Sequence, residues 1–230
     1  MELGDTLENY FRPSIGQIPV IIIDTSTVID LEEKSRDLSQ RASGELASAL
    51  LEDLAKLSRY VVVPENILNE ISMHHTRGVK NGRPEISRRL YDSICKYAAS
   101  SKKIIVEADE FLVSHSLYSE IFESLCSLAK KLHDEINEGK KLKKIKRDPI
   151  STADLELINI SLKLAVKSSA YLHDKIKEKG DVPEVLKDTY RIATLSADSH
   201  VYRPINHLLE TPEGLRYRDY LFAFNTRGYL

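Results

Sequence analysis

The sequence predicts an α/β fold with a central parallel sheet covered by helices on both faces. Two short apolar runs, Val20–Ile23 and Tyr60–Val63, have the length and the branched side chains of strands that are buried on both faces. Stretches with apolar residues at helical spacing follow these runs; residues 38–57 are the first of them. Because strands alternate with helices along the chain, the pattern favours parallel pairing.

The other elements follow from the same two patterns and from turn residues. Further strands are expected within residues 102–108, at Ile192–Leu195 and, as the last strand, at Leu208–Leu209. Helices are expected at residues 65–75, 86–99, 109–146 and 150–168, the last with Ser151 or Thr152 as its N-cap. The Gly and Pro content of residues 76–84 indicates a loop, and residues 170–191 are expected to form a further helical, charged insertion.

The composition limits the classes of protein to which the chain can belong. Its 230 residues carry a formal net charge of −2, which argues neither for nor against a nucleic-acid partner. No run approaches the roughly 18 apolar residues of a membrane helix, and the polar, acidic N-terminus is unlike a signal peptide. The two cysteines, Cys95 and Cys126, lack metal-ligand spacing. We therefore expect a single domain, 1–230, in the cytoplasm and without a membrane partner.

Four acidic residues lie just after a predicted strand or in the first turns of a predicted helix. They are Asp24, Glu70, Asp154 and Asp198. In a parallel sheet, ligands bind at the carboxyl ends of the strands, near the point where the strand order reverses. Acids from four distant positions can therefore converge on one patch.

Convergence of these acids would require a cation. Like charges in contact raise one another's pKa unless a positive charge neutralises them, and Mg²⁺ or Mn²⁺ prefers oxygen ligands. Such an ion could activate water for attack on a phosphodiester. Each acid also has a simpler interpretation as a helix cap or a turn residue. For Asp24 that interpretation requires a helix to begin directly after it.

A basic run provides a candidate surface for nucleic acid. Six of the eight residues between 140 and 147 are cationic: Lys140, Lys141, Lys143, Lys144, Lys146 and Arg147. A basic run is often only a solvated helix face. This one directly precedes the helix of Asp154, so it could hold a nucleic-acid backbone near the acids through phosphate contacts.

The segments IIIDTS, VVVPENILNEI, STADLELINISL and ATLSADSH, in this order, resemble the four acidic motifs of the PIN-domain ribonucleases. The resemblance implies a three-layer α/β/α domain and a metal-dependent endoribonuclease that uses Mg²⁺ or Mn²⁺. It assigns the catalytic and metal-binding roles to Asp24, Glu70, Asp154 and Asp198. It also implies contacts to substrate from the hydroxyl residues Thr25, Ser26 and Ser196.

The long helical section within residues 107–147 is similar to the helical insertion of the minimal protein-only RNase P family. That resemblance implies precursor tRNA as substrate, 5′ processing as the reaction, and self-association through the long helical section. It also makes Glu156, two residues after Asp154, an additional candidate ligand.

Two other functions remain open from the residues. The first is a toxin-type PIN ribonuclease of a toxin–antitoxin pair, although such chains are usually shorter and lack the long helical section. The second is a catalytically silent RNA-binding or assembly module. Nucleotide-cofactor chemistry is disfavoured, because the chain contains neither a G-x-G-x-x-G segment nor a P-loop.

Overall fold

The structure is a computed structural model that describes most of the chain outside the long helical section. The described residues are 3–12, 16–38, 43–80, 82–100, 104–105, 151–179 and 189–228, with 123–124, 127–128, 130–132, 134–135 and 138. Those between 123 and 138 are all helical, as expected for that section. The proposed insertion at 107–147 and the parsing of 1–230 as one domain stay predictions.

Seven strands and seven helices are described. The strands are β1 (Ile18–Ile23), β2 (Tyr60–Val62), β3 (Val79–Lys80), β4 (Arg83–Pro84), β5 (Ile104–Ile105), β6 (Tyr190–Ser196) and β7 (Leu221–Asn225). The helices are α1 (Leu3–Phe11), α2 (Thr25–Leu38), α3 (Ser43–Leu57), α4 (Glu65–Thr76), α5 (Arg88–Ser100), α6 (Thr152–Lys179) and α7 (Ser199–Leu208). Two single turns of 3₁₀ helix lie at Leu215–Tyr217 and Thr226–Gly228.

The main sheet confirms the predicted α/β class. It has five strands in the order β5-β2-β1-β6-β7, and every pairing within it is parallel. Strands β2 and β5 are added to the sheet on one side of β1, and strands β6 and β7 are added on its other side. The strand order therefore reverses between β1 and β6, which is where open parallel sheets bind their ligands.

The apolar runs of the sequence form the centre of this sheet. The β1 side chains from Val20 to Ile23 are at most 2% exposed, and those of β6 from Ile192 onward are buried as well. Helices flank the sheet, consistent with the expected three-layer arrangement, so both faces of these strands are removed from water. Within the described residues, no helix is long and apolar enough to cross a membrane.

The N-terminal helix α1, which the sequence pattern did not predict, packs on the core through Leu3, Leu7 and Phe11. The Tyr10 hydroxyl donates to the Ile192 carbonyl at 3.0 Å. The Arg191 guanidinium donates back to the Tyr10 carbonyl and lies 4.3 Å from the centre of the Tyr10 ring. Helix α1 is therefore fixed to β6 by both ends of one tyrosine.

Four sequence-based assignments are wrong. Leu208–Leu209 is the C-terminal end of α7 and not a strand; the last strand is β7. Residues 76–84 contain the antiparallel hairpin β3–β4, and Tyr190 and Arg191, placed in the charged insertion, begin β6. Helix α6 continues unbroken through Lys179.

Edge strand β7 is fixed to helix α7 by one side chain. The Asn206 amide nitrogen donates to the Ala223 carbonyl at 2.7 Å, and the Asn206 amide oxygen accepts from the Ala223 N–H at 3.0 Å. This pair satisfies backbone groups that an edge strand would otherwise expose. It also sets the position of the residues that follow β7.

The turn between α7 and β7 requires a glycine. We predict that Gly214→Ala lowers the free energy of unfolding by about 1–3 kcal/mol, because the added methyl must displace backbone atoms. A Cβ at Gly214 would lie 1.9 Å from the Leu208 carbonyl oxygen. Unfolding in urea measures the change.

Gly4→Ala is the matched control. A Cβ at Gly4 meets nothing within 4 Å, and alanine suits the helix it lies in. This variant should be as stable as the unchanged protein or slightly more so. Equal destabilisation by both substitutions would contradict the packing described for the turn.

Candidate metal centre

The carboxyl ends of β1 and β6 bring two of the predicted acids to the same edge of the sheet. The Asp24 N–H donates to the Leu195 carbonyl at 3.0 Å, so the parallel pairing continues one residue beyond β1. Ser196 ends β6, and Asp198 follows it two residues later. Asp24 and the segment from Ser196 to Asp198 therefore lie side by side where the strand order reverses.

Two serine hydroxyls hold the Asp24 carboxylate. Ser196 donates to its Oδ2 atom at 2.6 Å, and Ser26 donates a short hydrogen bond to the same atom. The Ser26 oxygen also accepts from the Ala197 N–H at 2.9 Å, which joins the start of α2 to the end of β6. Two hydroxyls that the sequence singled out thus bond to an acid of the site.

Helix α2 begins directly after Asp24, which makes the capping interpretation testable. The Asp24 backbone carbonyl accepts from the Thr27 and Val28 N–H groups, at 3.1 and 3.3 Å. Its carboxylate bonds to the two serines, whereas an N-cap side chain would accept from an N–H of the first turn. Capping of α2 therefore does not explain this buried acid.

The environment of Asp24 disfavours its charge. The side chain is 4% exposed, and burial raises the pKa of Asp24 from 3.8 to about 6. The hydrogen bonds from Ser196 and Ser26 oppose this rise, while the negative charges of Asp154 and Glu70 add to it. The acid is thus close enough to two other predicted site residues to be affected by their charge.

Asp154 is in the first turn of α6, where it forms a reciprocal cap with Ser151. The Asp154 N–H donates to the Ser151 hydroxyl at 3.0 Å, and the Ser151 N–H donates to the Asp154 carboxylate at 3.1 Å. Ser151 is therefore the N-cap, one of the two candidates from the sequence. Burial raises the pKa of Asp154; the bond from Ser151 opposes the rise, and the charge of Asp198 adds to it.

Asp198 and His200 complete a compact group of ligand atoms. Asp198 caps α7 by accepting from the His200 N–H at 2.8 Å, and the His200 Nδ1 atom lies 3.5 Å from the Asp198 carboxylate. His200 is 5% exposed. One ligand atom each from Asp154, Asp198 and His200 lies within 4.8 Å of the others, a spacing that a single metal ion can bridge.

Glu70 is positioned on α4 by the residue after Asp24. Its carboxylate accepts from the Thr25 hydroxyl at 2.8 Å, and Thr25 itself is buried. Glu70 lies beside the Asp154–Asp198–His200 group, along the same cleft, and contributes no ligand atom to that compact group. Thr25, the third of the predicted hydroxyl residues, thus bonds to Glu70, the fourth of the predicted acids.

The site opens into a cleft of about 670 Å³. Most of its lining is polar or charged, and Asp24 lies beneath it without reaching its surface. The residues that line the cleft are Ser26, Glu70, Ser151, Asp154, Ala197, Asp198, Ser199, His200, Tyr202, Asn225 and Arg227. The cleft thus combines three carboxylates with hydroxyl groups and one arginine.

Some candidates from the sequence do not join the site. Glu156 lies two residues after Asp154 on α6, which turns its side chain to another side of the helix. One of its carboxylate oxygens is buried and has no hydrogen-bond partner among the residues that the structure describes. Neither the cleft lining nor the compact ligand group includes Glu156. The basic run Lys140, Lys141, Lys143, Lys144, Lys146 and Arg147 lies outside the described residues.

Sequence reasoning missed His200, Asn225 and Arg227. His200 stands in the quoted segment SADSH, two residues after the last acid, so the signal was present. It carries no weight as an isolated histidine, because metal sites are recognised by clusters at ligand spacing. Asn225 and Arg227 could not be found, because the last strand, which ends at Asn225 and directly precedes the turn of Arg227, was placed wrongly.

Comparisons with known proteins do not assign the chain to a family. No family model matches it, and no curated protein or solved structure matches it either. The resemblance to PIN-domain ribonucleases therefore stays a prediction that rests on its motifs.

The raised pKa of Asp24 makes a prediction about stability without metal. Between pH 3.8 and about 6 the folded chain holds a proton that the unfolded chain has released, so stability falls as the pH rises through this window. Above it, the charged carboxylate costs on the order of 2–3 kcal/mol. Asp24→Asn removes the charge. The melting temperature of Asp24→Asn minus that of the unchanged protein should therefore increase as the pH rises from about 4 to about 8.

Thermal unfolding in chelator-treated buffer at several pH values measures this difference. Asp53→Asn is the control, because the Asp53 side chain is 65% exposed and pairs only with Lys56 in the described residues. If the difference in melting temperature between Asp24→Asn and the unchanged protein stays constant with pH, the charged Asp24 carboxylate does not destabilise the fold.

Proposed function

We propose that this protein is a metal-dependent endoribonuclease that hydrolyses RNA phosphodiester bonds with Mg²⁺ or Mn²⁺. One observation carries the proposal. Acids from four distant parts of the chain meet at the carboxyl edge of a parallel sheet, where the strand order reverses. Asp154 and Asp198 lie within the compact ligand group, Glu70 lies along the same cleft, and Asp24 lies beneath them.

The chemistry of the donors fits a divalent ion. Burial and mutual repulsion disfavour the charged forms of Asp24 and Asp154, and a bound cation reverses both effects. Asp154, Asp198 and His200 would hold the ion, with Glu70 beside them. Carboxylate oxygens suit both Mg²⁺ and Mn²⁺, while the imidazole nitrogen favours Mn²⁺, since magnesium takes oxygen ligands.

Each site residue then has a distinct task. A bound divalent ion lowers the pKa of water and neutralises charge on a phosphate. Ser26 lies in the cleft lining and donates its proton to Asp24, so its remaining lone pair can accept a hydrogen bond from a substrate hydroxyl. Thr25 orients Glu70, and Ser151 orients Asp154. Asp24 acts from below the cleft as a positioning residue.

The finer parts of the proposal rest on the resemblance of the sequence. They are precursor tRNA as substrate, 5′ processing as the reaction, and self-association through residues 107–147. Leu128 and Leu132, two helical residues of that section, pack against the core of the same chain. RNA binding by residues 140–147 and a cytoplasmic location are also part of the proposal.

Asp198→Asn is the sharpest test of the reaction. Asparagine is as good an N-cap as aspartate, so α7 keeps its cap while the site loses one ligand charge. We predict Mn²⁺- or Mg²⁺-dependent cleavage of RNA that EDTA stops, and at least about a 100-fold loss of kcat/KM in Asp198→Asn. Cleavage of labelled precursor tRNA and of unstructured RNA, followed on gels, measures both.

The same gels separate the possible functions. Asp53→Asn should cleave RNA like the unchanged protein. Circular dichroism checks whether Asp198→Asn is folded. Removal of a 5′ leader at one position supports the tRNA-processing reaction, whereas cleavage of all RNAs supports a general ribonuclease. Full activity of Asp198→Asn, or none in the unchanged protein with metal, would contradict the proposal.

A further inference from the structure

The cleft has a charged group that the metal chemistry does not use. Three carboxylates line it, from Glu70, Asp154 and Asp198, and Arg227 is the only lysine or arginine among the residues described as lining it. Glu70 lies in the middle of α4, Asp154 lies in the first turn of α6 and Asp198 follows β6, while Arg227 follows the edge strand β7. The cleft therefore extends across the sheet edge from an acidic part to a basic part.

The backbone of Arg227 is held at this edge. Strands β6 and β7 are parallel, with Ser196 paired to Asn225, so the residues after both strands emerge at the same level. The Asn225 side chain accepts from the Arg227 N–H at 3.2 Å. Thr226 is fully buried, and its hydroxyl lies 3.5 Å from the hydroxyl of Thr27 on α2. Arg227 thus starts from a fixed point beside the acids.

The Arg227 side chain, in contrast, is exposed and not engaged. Within the described part of the chain, no hydrogen bond, ion pair or ring contact involves its guanidinium. Other arginines are used by the fold: Arg36 donates to the Pro84 and Glu85 carbonyls, and Arg89 bonds to Glu45. A guanidinium without a structural partner at the mouth of an acidic cleft has no role in stability that the structure shows.

RNA in such a cleft faces an electrostatic conflict. Carboxylates repel phosphates, and a metal ion offsets that repulsion only where it is bound. Neighbouring phosphates of the strand need a separate cation. A guanidinium suits this task, because its planar donors match two oxygens of one phosphate.

We propose that Arg227 positions the substrate by binding an RNA phosphate next to the one that is cleaved. The RNA strand then crosses the sheet edge from the metal ligands at β6 toward the end of β7. This inference rests on the proposed function, because it takes RNA as the molecule in the cleft. It assigns to the end of β7 a role that the four acidic motifs do not include.

Binding measured at several salt concentrations tests the role of Arg227. Fluorescence anisotropy of a labelled single-stranded RNA is recorded with Mn²⁺ in the Asp198→Asn background, in which cleavage is expected to be at least about 100-fold slower. Adding Arg227→Met should weaken binding by about tenfold and reduce the slope of log K against log salt by about 0.7, the value for one phosphate contact on a single strand. Arg227→Lys should keep the slope and recover part of the affinity.

Arg59→Met is the matched control. Arg59 is also exposed, with its guanidinium 6.0 Å from the centre of the Tyr60 ring, and it precedes β2 at the opposite end of the strands, where its N–H donates to the Pro19 carbonyl. This variant should bind RNA with unchanged affinity and slope. In otherwise unchanged protein, Arg227→Met should raise KM about tenfold with little change in kcat.

The outcomes separate the two proposals. If the unchanged protein cleaves RNA and Arg227→Met binds with the same affinity and salt slope, the role of Arg227 is overturned and the ribonuclease proposal stands. An equal loss of affinity in Arg59→Met overturns it as well, because the effect would then reflect total charge. If the unchanged protein neither cleaves nor binds RNA, both proposals fail.

Discussion

Parallel pairing of β1 with β6 is the constraint on which the site depends. The two strands are aligned in register from Ile18 with Tyr190 to Ile23 with Leu195. Because every side chain in a strand alternates between faces, a slip of one residue would turn Asp24 away from Ser196. The register therefore determines whether the hydroxyl of one strand can meet the carboxylate that follows the other.

The site imposes a cost that the rest of the fold must offset. Asp24 is almost fully buried and is surrounded by hydroxyl groups and further acids, without a lysine or arginine among the partners that the structure gives it. Burial of an acid in this way is unfavourable for folding, and it is most easily understood if a cation is part of the working protein. Capping does not explain Asp24, because in the described residues its carboxylate accepts from the side-chain hydroxyls of Ser26 and Ser196 and from no backbone N–H of the helix that begins beside it. By contrast, Asp154 and Asp198 serve both as caps and as site residues.

The sequence patterns predicted strands β1, β2, β5 and β6 and failed at the edge strand β7. The four acids lie near the same end of the sheet in the structure, while their roles stay predictions. Strands β1, β2 and β6 were predictable because a strand buried on both faces is an unbroken apolar run. Strand β7 was not predictable in this way, because exposed Phe222 interrupts its pattern of buried side chains. The position of β7 at the sheet edge depends on tertiary contacts such as the hydrogen bonds from Asn206 to Ala223. Helix α2 was missed because its apolar residues are few and its first turn is rich in hydroxyl groups. Arg227 followed from none of the motifs, since its place at the cleft depends on β7.

Binding of Mn²⁺ to metal-free protein tests the central claim most directly. Electron paramagnetic resonance measures the free ion during a titration at neutral pH, independently of any substrate. We predict saturable binding to the unchanged protein and at least about tenfold weaker binding in Asp198→Asn and in His200→Asn, because the first substitution removes a ligand charge and the second removes the imidazole nitrogen. Binding of the same strength in all three proteins, or no saturable binding in the unchanged one, would contradict the account.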